Sequence, residues 1–245
     1  MADAWFEIAS PEHFWIQRRF DVLRSLAGNA IKNAREIAEI GCGHGLLQFQ
    51  IEEAYGKQVS GFDLNDFALK QNLSRRSPVY CYDIGQKHPE LLERFDVVFL
   101  FDVLEHIDDE TAFLASVSHH LARGGALVIN VPAGQWAYSK YDVAAGHVRR
   151  YSIRTLRNAI KKNDLEVSAW TYWGLPLVPI LALRKLWLSR QTGQDQTISS
   201  GFDSRTETMN QLLGWVSKCE WMPQKMLGSS LMAVLHRPAS PRSRE

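Results

Sequence analysis

An alternation of short apolar runs with amphipathic segments between residues 35 and 132 constrains the fold more than any other feature of the sequence. The apolar runs are as long as strands, and the segments between them show the three- and four-residue spacing of helices. Strands joined through helices run parallel, and helices then cover both faces of the sheet. The pattern therefore predicts an α/β fold on an open parallel sheet. The predicted strands are 35–41, 58–63, 79–83, 95–102 and 126–132, and the predicted helices between them are 46–55, 65–73 and 109–122.

The segments on either side of this alternation predict additions to the same domain. Residues 12–33 have the spacing of one or two amphipathic helices, and an aromatic loop at 133–151 precedes a predicted helix at 152–163. Two further strands are predicted at 165–173 and 229–238. We therefore expect one domain in five parts. These are an amino-terminal helical cap (1–34), a core sheet (35–173), an insertion (174–228), the last strand (229–238) and a polar tail (239–245).

Composition narrows the classes of function. The formal net charge of the 245 residues is +1, so no field attracts a polyanion and no nucleic-acid partner is predicted. Cys42, Cys81 and Cys219 lack metal-type spacing, and we expect no disulfide, with Cys81 and Cys219 as small core residues. No signal-peptide pattern begins the chain, and no uncharged apolar run reaches the roughly 18 residues of a membrane span. We therefore expect a cytoplasmic protein.

The glycine-rich stretch EIGCGHG, residues 39–45, lies between the first predicted strand and the helix that follows it. Its glycines permit a tight turn and let backbone amides approach a ligand at the carboxyl end of the strand. A dinucleotide-binding fingerprint begun at Gly41 would need glycine at position 46, where this chain has Leu46. This difference counts against NAD.

Acidic residues close the next three predicted strands at Asp63, Asp83 and Asp102. The carboxyl ends of parallel strands meet at one edge of the sheet, where open α/β sheets bind cofactors. Asp63 follows the glycine loop by about twenty residues. In dinucleotide-binding folds an acidic residue at this sequence separation accepts hydrogen bonds from the ribose hydroxyls. The loop and the acids together predict a cofactor that carries a ribose.

These stretches resemble the motifs of the class I S-adenosylmethionine-dependent methyltransferases, in order, from about residue 35 to 132. EIGCGHG is similar to their first motif, GFDLN to the segment with the ribose-binding acid, and YDI to the segment that faces the adenine. FDVVFLFDVLEHI resembles their fourth-strand motif, and LARGGALVINVP the turn and strand that follow. The resemblance implies a Rossmann-like, seven-stranded, mostly parallel sheet with helices on both faces, an antiparallel last strand, and S-adenosylmethionine as cofactor.

The resemblance also implies which residues bind that cofactor. The glycine loop would wrap the methionine part, Glu39 would orient its amino-acid end, Asp63 would hold the ribose, and Asp83 with Ile84 would hold the adenine. The full set of implied cofactor-binding residues is Trp15, Arg19, Glu39, Gly41, Cys42, Gly43, Gly45, Asp63, Leu64, Asp83, Ile84, Phe101 and Asp102. Because methyl transfer is one displacement, Cys42 is not expected to act as a nucleophile. No metal is predicted, since His119 and His120 lack a third ligand at metal spacing.

Two stretches near the ends of this region resemble a bacterial subgroup associated with surface-glycan biosynthesis. The first is HFW at 13–15, followed by Arg19, and the second begins at Asp142 and ends in GHVRRY at 146–151. The resemblance places the methyl acceptor beside the second stretch. The candidate catalytic residues are His106, Asp142, His147, Arg149, Arg150 and Tyr151.

The role of each candidate stays open at this level. His147 either accepts a proton from an acceptor hydroxyl or bonds Asp142 to hold the loop. Of Arg149 and Arg150, one is expected to clamp an anionic group of the acceptor while the other braces Asp142 or the fold. His106, with Glu105 before it, either supports the loop and cofactor pocket or takes a proton.

The insertion allows two interpretations. Its apolar stretch at 177–190 is expected to form a lid over the acceptor pocket, with a helix starting no earlier than about 179 because of Pro176 and Pro179. The alternative is peripheral contact with the inner face of a membrane. We expect O-methylation of a small or glycan-type acceptor. The alternatives are a quinone or secondary-metabolite methyltransferase, for which Trp136, Tyr138, Trp173 and Trp187 would line an aromatic pocket, and a regulatory protein that binds the cofactor without catalysis.

Overall fold

The computed structural model describes residues 10–189 and 207–240, in which the predicted alternation forms a seven-stranded sheet of order β3-β2-β1-β4-β5-β7-β6. Strands β1 to β5 pair in parallel, whereas β7 is antiparallel to β5 and to β6. The predicted fold class is confirmed. The strands are β1 (Ile37–Ile40), β2 (Ser60–Asp63), β3 (Val79–Cys81), β4 (Phe95–Phe101), β5 (Leu121–Pro132), β6 (Glu166–Trp173) and β7 (Ser230–His236).

Eight α-helices are described along with these strands. They are α1 (Phe14–Asn33), α2 (Leu46–Tyr55), α3 (Asp66–Lys70), α4 (Glu110–His120), α5 (Lys140–Ala144), α6 (Ile153–Ala159), α7 (Val178–Ser189) and α8 (Glu207–Ser217). The amino-terminal segment is one continuous helix, and α7 begins at Val178 with Pro179 in its first turn, where a proline needs no backbone partner. The aromatic loop contains helix α5, because Ser139 and Asp142 form a capping box that the residue pattern did not indicate.

The core lies on both faces of the sheet, as alternate side chains of β4 show. Phe99 packs with the α1 and α2 side chains, represented by Leu23 and Ile51. Leu100 packs on the opposite face with Leu114 of α4 and the α6 residues. Burying each such side chain stabilises the fold by about 1.5–3 kcal/mol. The two apolar layers hold the carboxyl ends of β1, β2 and β4 at one edge.

The burial of two of the three cysteines differs from the prediction. Cys42 is buried, but Cys81 and Cys219 are exposed, so their prediction as core residues was wrong. Cys81 ends β3, an edge strand of the sheet that the described residues form. Cys219 follows the end of α8, where the chain turns over the surface.

The insertion is joined to the rest of the protein at both of its described helices. Helix α7 contacts α5 and the 3₁₀ turn at Gln135–Ala137, and Lys185 Nζ donates a hydrogen bond to the Trp136 carbonyl. Helix α8 packs on α1, and just beyond it Glu220 forms a buried ion pair with Arg18 at 3.1 Å. Glu220 also accepts hydrogen bonds from the backbone N–H groups of Gly174 and Leu175. Among the described residues, no helix combines the length and the apolar character required to cross a bilayer.

Candidate active site

The glycine loop has a backbone that side chains would not permit. Gly41 and Gly45 have φ values of +76° and +79°, in the left-handed region that favours glycine. A Cβ atom at Gly41 would lie 2.2 Å from Cγ2 of Val103, and one at Gly45 would lie 2.4 Å from Nδ2 of Asn72. The loop therefore keeps a close-fitting backbone surface at the carboxyl end of β1.

Asp63 is fixed to this loop by backbone hydrogen bonds. Its Oδ2 accepts from the N–H of Gly43 at 2.7 Å, and its Oδ1 accepts from the N–H of Asn65 at 2.8 Å. The residue is half-buried, and each carboxylate oxygen has a second lone pair. The orientation of Asp63 is thus set before any ligand binds, with accepting capacity left for hydroxyl groups.

Glu39 lies at the centre of the same edge and lacks a partner for one oxygen. The residue is 4% exposed, and its Oε2 has no hydrogen-bond partner among residues 10–189 and 207–240. Burial, together with the charges of Asp63 and Asp102, raises the pKa of Glu39 to about 8 against the opposing charge of Arg19. A buried carboxyl group without a partner favours a ligand that brings positive charge or donors. The accepting carboxyl groups of Glu39, Asp63 and Asp102 therefore fit the cationic amino and sulfonium groups of S-adenosylmethionine.

A chain of polar contacts positions Asp102 beside Glu39. Arg19 Nη1 pairs with Asp102 Oδ2 at 2.6 Å, and Asn130 Nδ2 donates to Asp102 Oδ1 at 2.8 Å. Asn130 Oδ1 in turn accepts from Nε1 of Trp173 at 2.9 Å, and the Trp173 ring packs against Trp15 with centroids 4.2 Å apart. The predicted residues Trp15 and Arg19 therefore reach the edge of the sheet through α1, within one connected network.

The backbone at Asp102 is strained. Its φ is +55°, which is uncommon for a residue with a Cβ. Its N–H donates to the carbonyl of Asn130 at 2.9 Å, so both its backbone and its side chain are held by one neighbour. The preceding Phe101 is buried, and the Arg19 guanidinium carbon lies 5.2 Å from its ring centroid. Strain of this kind persists where the surrounding contacts determine it, often at functional sites.

The remaining predicted cofactor residues lie at the ends of β2 and β3 or inside the loop. Asp83 is exposed and caps a 3₁₀ turn by accepting from the N–H of Gly85, whereas Ile84 is buried and Leu64 is exposed. Cys42 is buried with its Sγ facing Gly61, and burial raises the pKa of its thiol. Cys42 therefore packs the loop as an uncharged thiol, as expected for a residue that is not a nucleophile.

Beyond Asp102 the chain forms a compact group that we call the His–Glu cluster, made of Glu105, His106 and His147. One ligand-type atom of each lies within 4.8 Å of those of the other two. Glu105 is 1% exposed, its Oε2 has no partner in the described part of the chain, and its Oε1 lies 4.0 Å from His147 Nε2. Burial raises the pKa of Glu105 well above its usual range, and burial with the charge of His147 lowers the pKa of His106 to about 4. The fourth-strand motif therefore contributes Glu105 and His106 to this cluster, and the loop after α5 contributes His147.

His147 is fixed on the side away from this cluster. Its Nδ1 lies 3.0 Å from Asp142 Oδ1, and its backbone carbonyl accepts from the Tyr138 hydroxyl at 2.7 Å. Although burial raises the pKa of Asp142, the hydrogen bonds and charges of His147 and Arg150 lower it to about 2. An ionised carboxylate only accepts hydrogen bonds, so the proton resides on Nδ1 of His147. In the neutral ring, Nε2 then carries a lone pair on the side of the cluster.

Arg149 and Arg150 both donate hydrogen bonds to groups of the protein, whereas one of them was expected to clamp an anionic group of the acceptor. Arg150 is buried and donates to both carboxylate oxygens of Asp142, at 2.7 and 3.2 Å. Arg149 donates from Nη1 to Glu110 at 2.8 Å and from Nη2 to the Asp108 carbonyl. Arg150 therefore braces Asp142, as one alternative held, and Arg149 ties its loop to the start of α4.

Tyr151 and Trp173 are both buried, although the sequence suggested a catalytic role for Tyr151 and a pocket-lining role for Trp173. Tyr151 is 1% exposed, and its hydroxyl donates to Glu110 at 2.5 Å, so it holds the loop from inside the core. Burial and the charge of Glu110 raise its pKa. Trp173 is fully buried against Asn130, so it does not line an open aromatic pocket with the exposed Trp136. The side chain of Trp187 lies outside the described residues.

Two polar residues of the site were not predicted from the sequence. Asn130 anchors Asp102, and a lone amide in the apolar run of β5 is a signal that could have indicated it. Glu110 receives both Arg149 and Tyr151, but its position at the start of a helix is typical of an ordinary exposed acid.

Comparison with known proteins agrees with this geometry. A family model described as a methyltransferase domain matches residues 13–169, more than half of the chain. The tRNA U34 carboxymethyltransferase of Idiomarina loihiensis is 30% identical over 105 residues, which are 40% of this chain and 32% of that protein. The ubiquinone biosynthesis O-methyltransferase of Rhodopseudomonas palustris is 32% identical over 130 residues, 50% of each chain. The chain thus spans about a third to a half of the length of these relatives.

A solved structure shares the fold. The S-adenosylmethionine-dependent methyltransferase from Archaeoglobus fulgidus aligns with a TM-score of 0.54 over 89% of this chain and 93% of its own, at 18% identity. At that identity the alignment shows the fold, and the family match supplies the family. The chain belongs to the methyltransferase domain family.

Proposed function

We propose that this chain is an S-adenosylmethionine-dependent methyltransferase and that it transfers the methyl group to a hydroxyl oxygen of a small or glycan-type acceptor in one in-line displacement. The observation that carries the proposal is the Asp142–His147 pair, whose Nδ1 to Oδ1 distance is 3.0 Å. A hydroxyl must lose a proton as its oxygen takes a methyl group, and an imidazole held by a carboxylate is suited to accept it.

Different residues hold the methyl donor and act on the acceptor. When bound, S-adenosylmethionine supplies a methyl group on a positively charged sulfur. Glu39, Asp63 and the glycine loop hold that donor, and Asp102 connects the donor side to the loop that carries the His–Glu cluster. Holding the reactants in line can lower the barrier by roughly 7–11 kcal/mol, whereas a positioned base typically adds about a hundred- to ten-thousandfold in rate. Positioning is therefore the larger contribution, and His147 adds to it.

Helix α7 is proposed as a lid over the acceptor side. It contacts α5, whose residue Asp142 orients His147, and it reaches the turn at Gln135–Ala137 through Lys185. A helix so placed limits the access of water to the acceptor. Peripheral membrane contact through 177–190 is the competing proposal. Residue 190 and several side chains of that segment lie outside the described residues.

Two acceptor classes have support from different observations. The HFW and GHVRRY stretches resemble a subgroup associated with surface-glycan biosynthesis, which favours a sugar hydroxyl on a lipid or nucleotide carrier. The likeness to a ubiquinone biosynthesis O-methyltransferase favours a phenolic hydroxyl as the second candidate. Both acceptors present an oxygen, so both are compatible with His147 as the base.

The test is transfer of a labelled methyl group from S-adenosylmethionine into separated pools of lipid-linked sugars, nucleotide sugars and quinone-type phenols. We expect label in one hydroxyl-bearing pool, stable to conditions that hydrolyse methyl esters, and much less label with His147→Ala. Calorimetry of S-adenosylmethionine binding to His147→Ala provides the control, with affinity close to that of the unmodified protein. Label on nitrogen, or cofactor binding without transfer to any pool, would contradict the proposal.

A further inference from the structure

We propose that the His–Glu cluster is a binding site for a divalent transition-metal ion such as Zn²⁺, and that the bound ion blocks methyl transfer by occupying His147. Two histidines and one carboxylate are a ligand set that such ions prefer. One ligand-type atom of each residue lies within 4.8 Å of the others. The inhibitory part rests on the proposed function, whereas the binding part does not.

The hydrogen bonds of both rings prepare them as ligands. His106 Nδ1 lies 3.1 Å from the Gly146 carbonyl, and His147 Nδ1 lies 3.0 Å from the Asp142 carboxylate. Both of these partners only accept hydrogen bonds, so each Nδ1 carries the proton and each neutral Nε2 carries a lone pair. Metal-binding histidines are held in the same way by a carboxylate or a carbonyl on the ring nitrogen away from the ion.

Glu105 provides an independent observation that points to a cation. Its side chain is 1% exposed, and no described residue forms a hydrogen bond with Oε2. A buried carboxylate oxygen without a partner is costly, and a cation beside it removes that cost. Oε1 of Glu105 lies 4.0 Å from Nε2 of His147. Zinc binds nitrogen and oxygen at about 2 Å in tetrahedral geometry, which places two of its ligand atoms about 3.3 Å apart. The side chains of Glu105 and His147 must therefore approach each other by roughly 1 Å when an ion binds.

The same lone pair at His147 Nε2 serves the metal ion and the acceptor proton. A nitrogen bonded to a metal ion cannot accept a proton, so an occupied cluster lacks its base. Transition-metal ions bind imidazole well, whereas Mg²⁺ prefers oxygen ligands and water. The structure therefore assigns a site that is selective for ions of the zinc type and that competes with catalysis.

The direct test is titration of the full chain with Co²⁺, whose visible absorption reports its ligands, followed by displacement with Zn²⁺. We expect saturable binding, displacement by Zn²⁺, and no displacement by Mg²⁺ at the same concentration. His106→Ala and Glu105→Gln should each weaken Co²⁺ binding about tenfold or more. The exposed His88, outside the cluster, gives the matched control, and His88→Ala should leave the titration unchanged. Circular dichroism melts establish that each variant is folded, and His106→Gln replaces His106→Ala if that variant does not fold.

Each remaining outcome has a distinct meaning. No change in the Co²⁺ spectrum, or equal weakening by His106→Ala and His88→Ala, would overturn the metal site while leaving the proposed O-methylation intact. Binding at the cluster with methyl transfer undiminished at full Zn²⁺ occupancy would overturn the competition and would also remove His147 as the base. Binding together with a loss of methyl transfer that follows Zn²⁺ occupancy supports the whole inference.

Discussion

Replacing Gly45 by alanine should damage the cofactor loop more than an alanine at the other end of the same helix. Gly45 and Gly56 cap α2 at its start and end, with φ values of +79° and +66°. A left-handed backbone costs an alanine roughly 1–2 kcal/mol, and both variants carry this cost. They differ in space, because a Cβ at Gly56 meets nothing within 4 Å, whereas one at Gly45 would lie 2.4 Å from Asn72 Nδ2.

Asn72 cannot move aside without losing contacts. Its Nδ2 donates to Gln48 Oε1 at 2.8 Å, and its Oδ1 accepts from the backbone N–H of Ser74 at 2.7 Å. Loss of one such bond costs about 0.5–1.5 kcal/mol. We therefore expect Gly45→Ala to lower the free energy of unfolding by about 1 kcal/mol more than Gly56→Ala does.

Urea denaturation of both variants measures this difference, and calorimetry measures S-adenosylmethionine binding. Gly45→Ala should weaken the cofactor affinity because the loop shifts, whereas Gly56→Ala should leave the affinity unchanged. Equal losses of stability in the two variants would show that Asn72 moves aside freely. An unchanged affinity in Gly45→Ala would refute the role of the loop.

Three further predictions concern other parts of the chain. Burial raises the pKa of Glu52, but hydrogen bonds from Ser74, Ser77 and the backbone N–H groups of Arg75 and Ser77 lower it from 4.5 to about 2. Because the folded pKa is the lower one, the carboxylate contributes about 3 kcal/mol above pH 4.5, and this stability is lost as the pH falls toward 2. Glu52→Gln should therefore flatten the decline in melting temperature over that range, and an unaltered decline would contradict it. Asp63→Ala should weaken S-adenosylmethionine binding about tenfold or more in calorimetry, and undiminished affinity would exclude Asp63 from the cofactor site. His147→Ala should lower turnover about a hundred- to ten-thousandfold with cofactor affinity nearly unchanged, and a parallel loss of both with a lowered melting temperature would mean that His147 only holds the loop.

Local patterns were sufficient for the sheet and for the donor side of the site. The strand and helix periods between residues 35 and 132 predicted the parallel core, since each period depends on which side chains of one segment are buried. The glycine loop and Asp63 were predictable as well, because in a parallel sheet the residues that end neighbouring strands meet at one edge. The order of the motifs therefore determined the fold class and predicted the cofactor.

The tertiary structure decided how the polar residues are paired. Arg150 and Tyr151 look like ligand-binding residues in sequence, but Arg150 pairs with the buried Asp142 and Tyr151 with Glu110, a residue 41 positions away. Likewise, the residues around Cys81 in the sequence suggested a buried position. Cys81 is exposed because its strand, β3, lies at the edge of the sheet, and the order of the strands is not visible in the sequence. The His–Glu cluster combines residues from the end of β4 and from the loop after α5. Such pairings depend on distances between segments that are remote in the chain, and a sequence pattern records only the neighbours along it.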